Sequence, residues 1–171
     1  MSPAAAALAV TTVSAAAIAT TVLRRRYIIV TVIGSSMSPT LVAGDRVLVR
    51  RAPLEAIATG RLVVTEPPRE HRWDRVRAHG LLIKRAAAVP GDPLPREGAP
   101  AFADLPEERV PEGRIVLLGD NPAASLDSRH CGYFQAEQIV GVVLRPLKSS
   151  EMRSGTRTQQ PSGKDVPSWR M

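Results

Sequence analysis

The sequence predicts a mostly β protein, a small antiparallel β-barrel or sandwich preceded by an N-terminal transmembrane helix. Short β-branched runs alternate with turn residues, and the 15 Pro and 12 Gly among 171 residues supply many such turns. Aromatic residues make up only 4% of the chain, so the core must consist mainly of Val, Leu, Ile and Ala. A long uncharged stretch near the start of the sequence has the length of a membrane span.

The first predicted element is a membrane anchor. Residues 3–23 carry no charge and number about 20, the length that a helix needs to cross a bilayer. A cleavable signal peptide is less well supported, because the cations at positions 24–26 follow the apolar stretch instead of preceding it. The sequence thus divides into an anchor with a basic flank (1–26), a β domain (27–147) and a polar tail predicted to be disordered (148–171).

Six strands are predicted within the β domain, each an apolar run that ends at turn residues. They span residues 27–33, 46–50, 61–65, 81–89, 114–118 and 139–144. Residues 69–80 and 93–109 are polar connectors. Short strands with turn chemistry between them favour a small antiparallel structure.

Charge and cysteine content limit the classes of function. The formal net charge of +7 suits either nucleic acid or an anionic membrane surface. Cys131 is the only cysteine, so the chain cannot form an intramolecular disulfide. The three histidines, His71, His79 and His130, lack the spacing of zinc ligands. We therefore expect no metal and no cofactor.

The turn after the first strand is a candidate for nucleophilic chemistry. Ser36 follows Gly34 at the end of this strand, where an unusual backbone conformation can present both its hydroxyl and its backbone N–H. Acyl transfer requires an attacking oxygen and a donor aimed at the developing oxyanion. Taken alone, such a segment is more often an ordinary Ser-rich turn.

Two kinds of base could activate this serine. A Ser-His-Asp triad is poorly supported, because His71 and His79 lie in a charged connector and no Gly-x-Ser-x-Gly motif is present. Lys84 lies between apolar neighbours on the fourth strand, and burial there would lower its pKa from about 10.4 to about 7–8. The alternative is a solvated lysine that protects a strand edge.

Four short sequence motifs, here called boxes, follow one another along the β domain. They are Ser36-Met37-Ser38-Pro39-Thr40, then Gly44-Asp45-Arg46-Val47-Leu48-Val49, then Lys84-Arg85 with Pro90-Gly91-Asp92, and finally Gly119-Asp120-Asn121 with Ser125-Leu126-Asp127-Ser128-Arg129. In this order they resemble the boxes of signal peptidase I, the serine/lysine protease that removes signal peptides. The resemblance implies the β catalytic domain of that family in a short form, because only residues 93–109 separate the later boxes.

The resemblance also implies a role for each matching residue. Ser36 would attack the scissile carbonyl and form an acyl-enzyme, and neutral Lys84 would accept its proton and later activate the deacylating water. Ser125 would orient the lysine amine. Asp127 and Arg129 would support this region as an ion pair.

The residues around the nucleophile carry further expectations from the resemblance. The backbone N–H of Ser36 would be one oxyanion donor. Some members of the family have a serine two positions before the nucleophile as a second donor, and here Gly34 occupies that position, so Ser35 or water must substitute. Met37 and Pro39 are expected to contact the substrate.

These observations predict a membrane-bound serine endopeptidase that removes N-terminal signal peptides from preproteins by cutting after small residues. The expected partners are a preprotein in extended conformation and the lipid bilayer, while nucleic acid is not expected and no oligomeric state is predicted. The expected location is the cell membrane, with a single span and an extracytoplasmic catalytic domain. The cluster of Arg24, Arg25 and Arg26 is also compatible with a cytoplasmic orientation.

Two alternatives stay open at this point. Short relatives of signal peptidase trim the leader of particular proteins such as nickel-type superoxide dismutase, and a cytoplasmic catalytic domain would favour that function. Self-cleaving repressors share a serine/lysine dyad on a related β-fold and bind DNA. In this sequence, however, the uncharged residues 3–23 take the place of their DNA-binding unit.

Overall fold

The computed structural model of the protein describes residues 21, 23–69, 73 and 80–147. This part of the chain is mostly β, as predicted, and each of the six predicted strands is present. The seven observed strands are β1 (Tyr27–Thr31), β2 (Arg46–Arg51), β3 (Leu62–Thr65), β4 (Leu82–Ala88), β5 (Arg114–Leu118), β6 (Phe134–Gln135) and β7 (Ile139–Leu147).

The strands form one antiparallel sheet in the order β1-β2-β7-β3-β4-β5-β6. The sheet curls into a half-barrel. The last strand, β7, lies between β2 and β3 and so joins the first two strands to the rest of the sheet. β4 pairs with β3 from Leu82 onward but with β5 only from Arg85 onward, so the first residues of β4 keep one backbone edge open.

Within the described part of the chain, the core consists of three apolar clusters. One includes Trp73, which packs edge to face against Phe134 with the ring centroids 5.6 Å apart. A second surrounds the turn after β1 and includes Met37 and Leu41. The third lies under the connector between β4 and β5 and includes Phe102. Most other core side chains are Val, Leu, Ile and Ala, in agreement with the composition.

The helical elements of the β domain are short. The 3-10 turns are Leu54–Ala56, Pro100–Phe102, Pro122–Ala124 and Ala136–Gln138, and an α-helical turn, α1, is Ser128–Cys131. Asp127 is the N-cap of α1, and its side chain accepts a hydrogen bond from the backbone N–H of Arg129. This cap fixes the Asp127 carboxylate at the base of the site described below.

The predicted anchor and tail fall almost wholly outside the described residues. Residues 3–20 and 22 of the anchor and residues 148–171 of the tail belong to the parts that are not described, as do His71 and His79. In the part of the chain that is described, no helix combines the length and hydropathy of a membrane span.

Candidate active site

One open groove runs between the end of β1 and the start of β4. Its walls are residues 29–37 on one side and 81–84 on the other, with Ala124 and Leu126 at its end. The groove has a volume of about 550 Å³. Both Ser36 and Lys84 line it, so the fold brings together two residues that are 48 positions apart, since 84 − 36 = 48.

The amine of Lys84 is buried in the wall of the groove that β4 forms. Only 3% of the residue is exposed, and its Nζ donates a hydrogen bond to Oγ of Ser125 at 2.8 Å. Burial lowers the pKa of Lys84 from 10.5 to about 8, partly opposed by the negative charge of Asp127. The positive charge of Arg129 lowers this pKa further. The alternative of a solvated edge lysine is therefore wrong.

A fully buried carboxylate holds the serine that contacts the lysine. Oδ2 of Asp127 accepts hydrogen bonds from Oγ of Ser125 at 2.6 Å and from the backbone N–H of Gly119 at 2.8 Å. Nη1 of Arg129 forms an ion pair with the same oxygen at 2.7 Å. Because Ser125 gives its only proton to Asp127, its oxygen is left as an acceptor for Lys84.

Ser36 lies on the facing wall of the groove and is half-buried. Its hydroxyl is not hydrogen-bonded to Lys84 in the structure. The turn before it depends on Gly34, whose φ of +82° is a left-handed conformation that other residues rarely adopt. The carbonyl oxygen of Ser36 accepts a hydrogen bond from the backbone N–H of Asn121 at 2.9 Å.

The other residues expected near the substrate occupy different environments. Met37 lines the groove but is only 2% exposed, because its side chain belongs to the apolar cluster behind the turn. Ser35 is exposed on the groove wall. Pro39 is exposed but is not one of the groove-lining residues, and it follows a cis peptide bond.

A second polar network, not predicted from the sequence, links the turn after β1 to β4. Arg85 donates to both carboxylate oxygens of Asp120, from Nε at 2.8 Å and from Nη2 at 2.6 Å. Thr40 donates its hydroxyl to the same carboxylate at 2.5 Å. Thr40 belongs to the first box, Arg85 to the Lys-Arg box and Asp120 to the Gly-Asp-Asn box. Their mutual contact depends on tertiary structure and could not be inferred from the boxes.

The family model described as "Signal peptidase, peptidase S26" matches residues 5–100 and 95–147 of the chain. The chain belongs to this family. The match spans the groove and every residue of the two polar networks, so the expected resemblance to signal peptidase I is confirmed.

Individual members of the peptidase S26 family are similar over the same region. The chain is 30% identical over 127 residues to a probable signal peptidase I-1 of Synechocystis sp.. It is 34% identical over 117 residues to a mitochondrial ATP-independent inner membrane protease subunit 1a of Arabidopsis thaliana, and 26% identical over 149 residues to signal peptidase IB of Staphylococcus aureus.

These alignments cover similar shares of each chain. They include 64%, 66% and 66% of this chain, respectively. They include 65% of the Synechocystis protein, 66% of the Arabidopsis protein and 73% of the Staphylococcus protein. The chain thus spans just under two thirds of the length of the first two relatives.

The geometry of this peptidase S26 domain suits proton transfer by an amine. A lysine with a pKa of about 8 is partly neutral near neutral pH, and its lone pair can then accept a proton. The hydrogen bond to Ser125 fixes the direction of the amine. Among the described residues, no group of three or more His, Cys, Asp or Glu side chains is arranged to hold a metal ion.

Proposed function

We propose that the protein is a serine endopeptidase that removes N-terminal signal peptides, with Ser36 as nucleophile and Lys84 as general base. The observation that carries this proposal is the buried lysine. The Lys84 amine is costly to the fold, because the residue is only 3% exposed and no carboxylate of the described residues contacts it directly. Its lowered pKa fits a base rather than a structural cation. It shares the groove with a serine at a strand end.

In the proposed reaction, neutral Lys84 takes the hydroxyl proton as Oγ of Ser36 attacks the carbonyl carbon of the scissile bond. The backbone N–H of Ser36 donates to the oxyanion that forms. When the C–N bond breaks, the Lys84 ammonium returns its proton to the leaving amine. Water then attacks the acyl-enzyme, Lys84 accepts a proton from it, and Ser36 regains its hydroxyl proton as the carboxylic acid leaves.

The groove supports an extended peptide as substrate. Among the strands that the structure describes, β1 lies at an edge of the sheet and pairs only with β2. The first residues of β4, Leu82 to Lys84, pair with β3 but have no partner in β5. An extended chain can therefore add its backbone hydrogen bonds between these two walls, as peptides do at other open sheet edges. The apolar side chains of Ile29 and Ile83 line the same groove.

Cleavage of defined precursors tests the proposal. Purified protein is incubated with preproteins that carry Ala-x-Ala before the expected cut and with a short-leader precursor, such as that of a nickel-type superoxide dismutase, and each cut is mapped by mass spectrometry. We expect Ser36→Ala and Lys84→Met to lower the cleavage rate by at least about 10³-fold while the fold is retained.

Ser38→Ala is the matched control for the nucleophile, because it removes a hydroxyl from the same turn. This variant should cleave at the wild-type rate. Normal cleavage by either Ser36→Ala or Lys84→Met would show that the dyad assignment is wrong. Cleavage of the short-leader precursor alone would favour a dedicated maturation protease over a general signal peptidase.

We also propose that residues 1–26 anchor the protein in the cell membrane. The support is the uncharged stretch at residues 3–23, which has the length of a span. Carbonate extraction of membranes should leave the full-length chain in the pellet. External protease should remove the tail after residue 147 if the catalytic domain faces outward, and a protected tail would indicate the cytoplasmic orientation that Arg24, Arg25 and Arg26 favour.

A further inference from the structure

Asn121 forms two separate hydrogen bonds to the turn that contains Ser36, the proposed nucleophile. The proposed reaction gives Asn121 no role. Its backbone N–H donates to the carbonyl oxygen of Ser36 at 2.9 Å. Its side-chain Nδ2 donates to the carbonyl oxygen of Ser35 at 3.1 Å. Asn121 therefore holds two successive carbonyl groups, one on each side of the α-carbon of Ser36.

The carbonyl of Ser35 and the N–H of Ser36 belong to the same peptide unit. This unit is trans, because the one cis bond among the described residues is Ser38–Pro39. In a planar trans peptide the C=O and the N–H point in opposite directions. Whatever fixes the Ser35 carbonyl also fixes the opposite direction of the Ser36 N–H.

The N–H of Ser36 is also unused within the fold. None of the hydrogen bonds among the described residues has it as donor, whereas the Ser35 carbonyl accepts both from Asn121 and from the backbone N–H of Ser38 at 3.1 Å. The peptide plane is thus held from its carbonyl side, and its N–H is left for another acceptor. Ser36 itself lines the groove.

We propose that Asn121 is a positioning residue, whose side-chain amide holds the Ser35 carbonyl so that the Ser36 N–H faces the groove as the oxyanion donor. This inference rests on the proposed serine peptidase function. The bonds from Asn121 act on an oxyanion donor whose hydrogen bond is stronger in the transition state than in the ground state. Their loss therefore lowers kcat more than it raises KM.

The neighbouring residues explain why an asparagine side chain is placed so accurately. Asp120 is held by Arg85 and Thr40, and Gly119 donates its backbone N–H to Asp127. Asn121 follows these two anchored residues, so its short side chain starts from a fixed backbone. An ionised aspartate at this position has the same shape but no hydrogen-bond donor, and it adds a negative charge beside the developing oxyanion.

The test compares Asn121→Ala and Asn121→Asp with the wild type on a peptide that contains Ala-x-Ala before the cut. Both variants keep the backbone bond to Ser36. We expect kcat to fall about 10-fold for Asn121→Ala and about 100-fold for Asn121→Asp, with KM changed by less than about 2-fold. A peptide aldehyde, which forms a tetrahedral adduct with the serine, should bind more weakly in the same order.

The peptide alcohol of the same sequence is the matched ligand that forms no adduct. Its inhibition constant should stay at the wild-type value, because it does not place an oxyanion at the Ser36 N–H. Gln138→Ala removes an amide side chain that bonds outside the groove, to Gln135 and Glu66, and should leave all of these constants unchanged. Thermal unfolding of each variant shows that the fold is intact.

Two results would overturn the inference. Wild-type kcat in both Asn121 variants would show that the amide does not position the donor. An equal loss of affinity for the aldehyde and the alcohol would show that Asn121 only maintains the shape of the groove. A wild-type protein that cleaves none of the precursors, or a Ser36→Ala variant that cleaves normally, would instead refute the proposed function itself.

Discussion

At the scale of single residues, the environment of Lys84 combines opposing electrostatic effects. Burial lowers the pKa of its amine, Asp127 raises it and Arg129 lowers it, and the result is a pKa of about 8. Asp127 does not contact the amine directly, because Ser125 lies between them. The inserted hydroxyl orients the amine while it keeps the carboxylate from forming an ion pair that would hold the lysine protonated.

The pH dependence of cleavage should report the neutral form of Lys84. The pKa is lowered from 10.5 to about 8, so below pH 8 the amine is mostly protonated and cannot accept the serine proton. We expect kcat/KM for the Ala-x-Ala peptide to rise about tenfold per pH unit below that point and to level off above it. Initial rates between about pH 6 and 10 measure this profile.

Substitution of Arg129 tests whether Lys84 is the group that titrates in the pH profile of kcat/KM. Its positive charge lowers the pKa of Lys84, so Arg129→Met should move the midpoint of the profile to higher pH. Arg109→Gln is the matched control, because Arg109 is not among the charges that shift this pKa and binds the carbonyl of Gly91 instead. A midpoint that is the same in all three proteins would show that the charge of Arg129 does not act on the group that titrates in this profile.

Some of these site residues could be predicted from the sequence, and others could not. Lys84 could be inferred from its apolar neighbours, because a lysine within a strand of aliphatic side chains must be buried or lie at an edge. The complete burial of Asp127 and the hydrogen bonds from Asn121 could not be inferred from the sequence, because they depend on how the chain folds back after β5. A pattern in one strand cannot show which loop packs against it.

At the scale of elements, the turn at residues 119–121 packs the end of β5 against the turn after β1 that contains Ser36. Gly119 lies against Ser125 and the carbonyl of Ser36, while the next two residues bond to Thr40 and to Ser35. A side chain at position 119 has no space. Its Cβ would meet Cβ of Ser125 at 2.6 Å and the carbonyl oxygen of Ser36 at 2.7 Å.

Gly119→Ala should therefore damage both the fold and the site. The added methyl group must displace Ser125 or the turn that contains Ser36, and such overpacking costs about 1–3 kcal/mol. We expect a lower free energy of unfolding in urea and a loss of cleavage of at least about 100-fold, because Lys84 would lose the hydroxyl that orients its amine.

Gly113→Ala separates the effect of crowding from that of backbone strain. Gly113 has a φ of +71°, and no atom lies within 4 Å of the position that a Cβ would take, so alanine there is strained but not crowded. This variant should lose about 1 kcal/mol of stability and keep its activity. If Gly119→Ala behaved in the same way, the close packing around Ser125 would not be essential to the site.

The strands could be predicted well from the sequence, but two details could not. β6 has only two residues, Phe134 and Gln135, too few to show an alternating pattern. β7 continues through Pro146, where a strand is expected to end. The proline is tolerated because this end of β7 pairs only with β2, while the pairing with β3 ends at Val142. Its missing N–H therefore removes no bond to β3.

At the scale of the whole molecule, the buried lysine reduces the stability of the fold. A shift from 10.5 to about 8 corresponds to about 3 kcal/mol, because each pH unit is worth about 1.4 kcal/mol. Domains of this kind have only about 5–15 kcal/mol of net stability. The three apolar clusters must therefore offset the cost of a group that the fold places at the groove.

This cost should appear as a pH dependence of stability. Between about pH 8 and 10.5 the unfolded chain binds a proton on Lys84 that the folded chain does not, so stability rises with pH in this window. Lys84→Met removes the titrating group while it keeps an unbranched side chain of similar length. We expect the free energy of unfolding of the wild type, relative to Lys84→Met, to increase by about 3 kcal/mol between about pH 7.5 and 10.5.

Urea unfolding of both proteins across this range measures the difference, in which all other titrating groups cancel. The variant also leaves Ser125 without a donor for its oxygen, but that loss does not depend on pH and shifts both ends of the comparison equally. A difference that stays constant across the range would mean that Lys84 has an ordinary pKa in the folded protein. The amine would then stay mostly protonated up to about pH 10.5, which would contradict the role of general base that we propose for it.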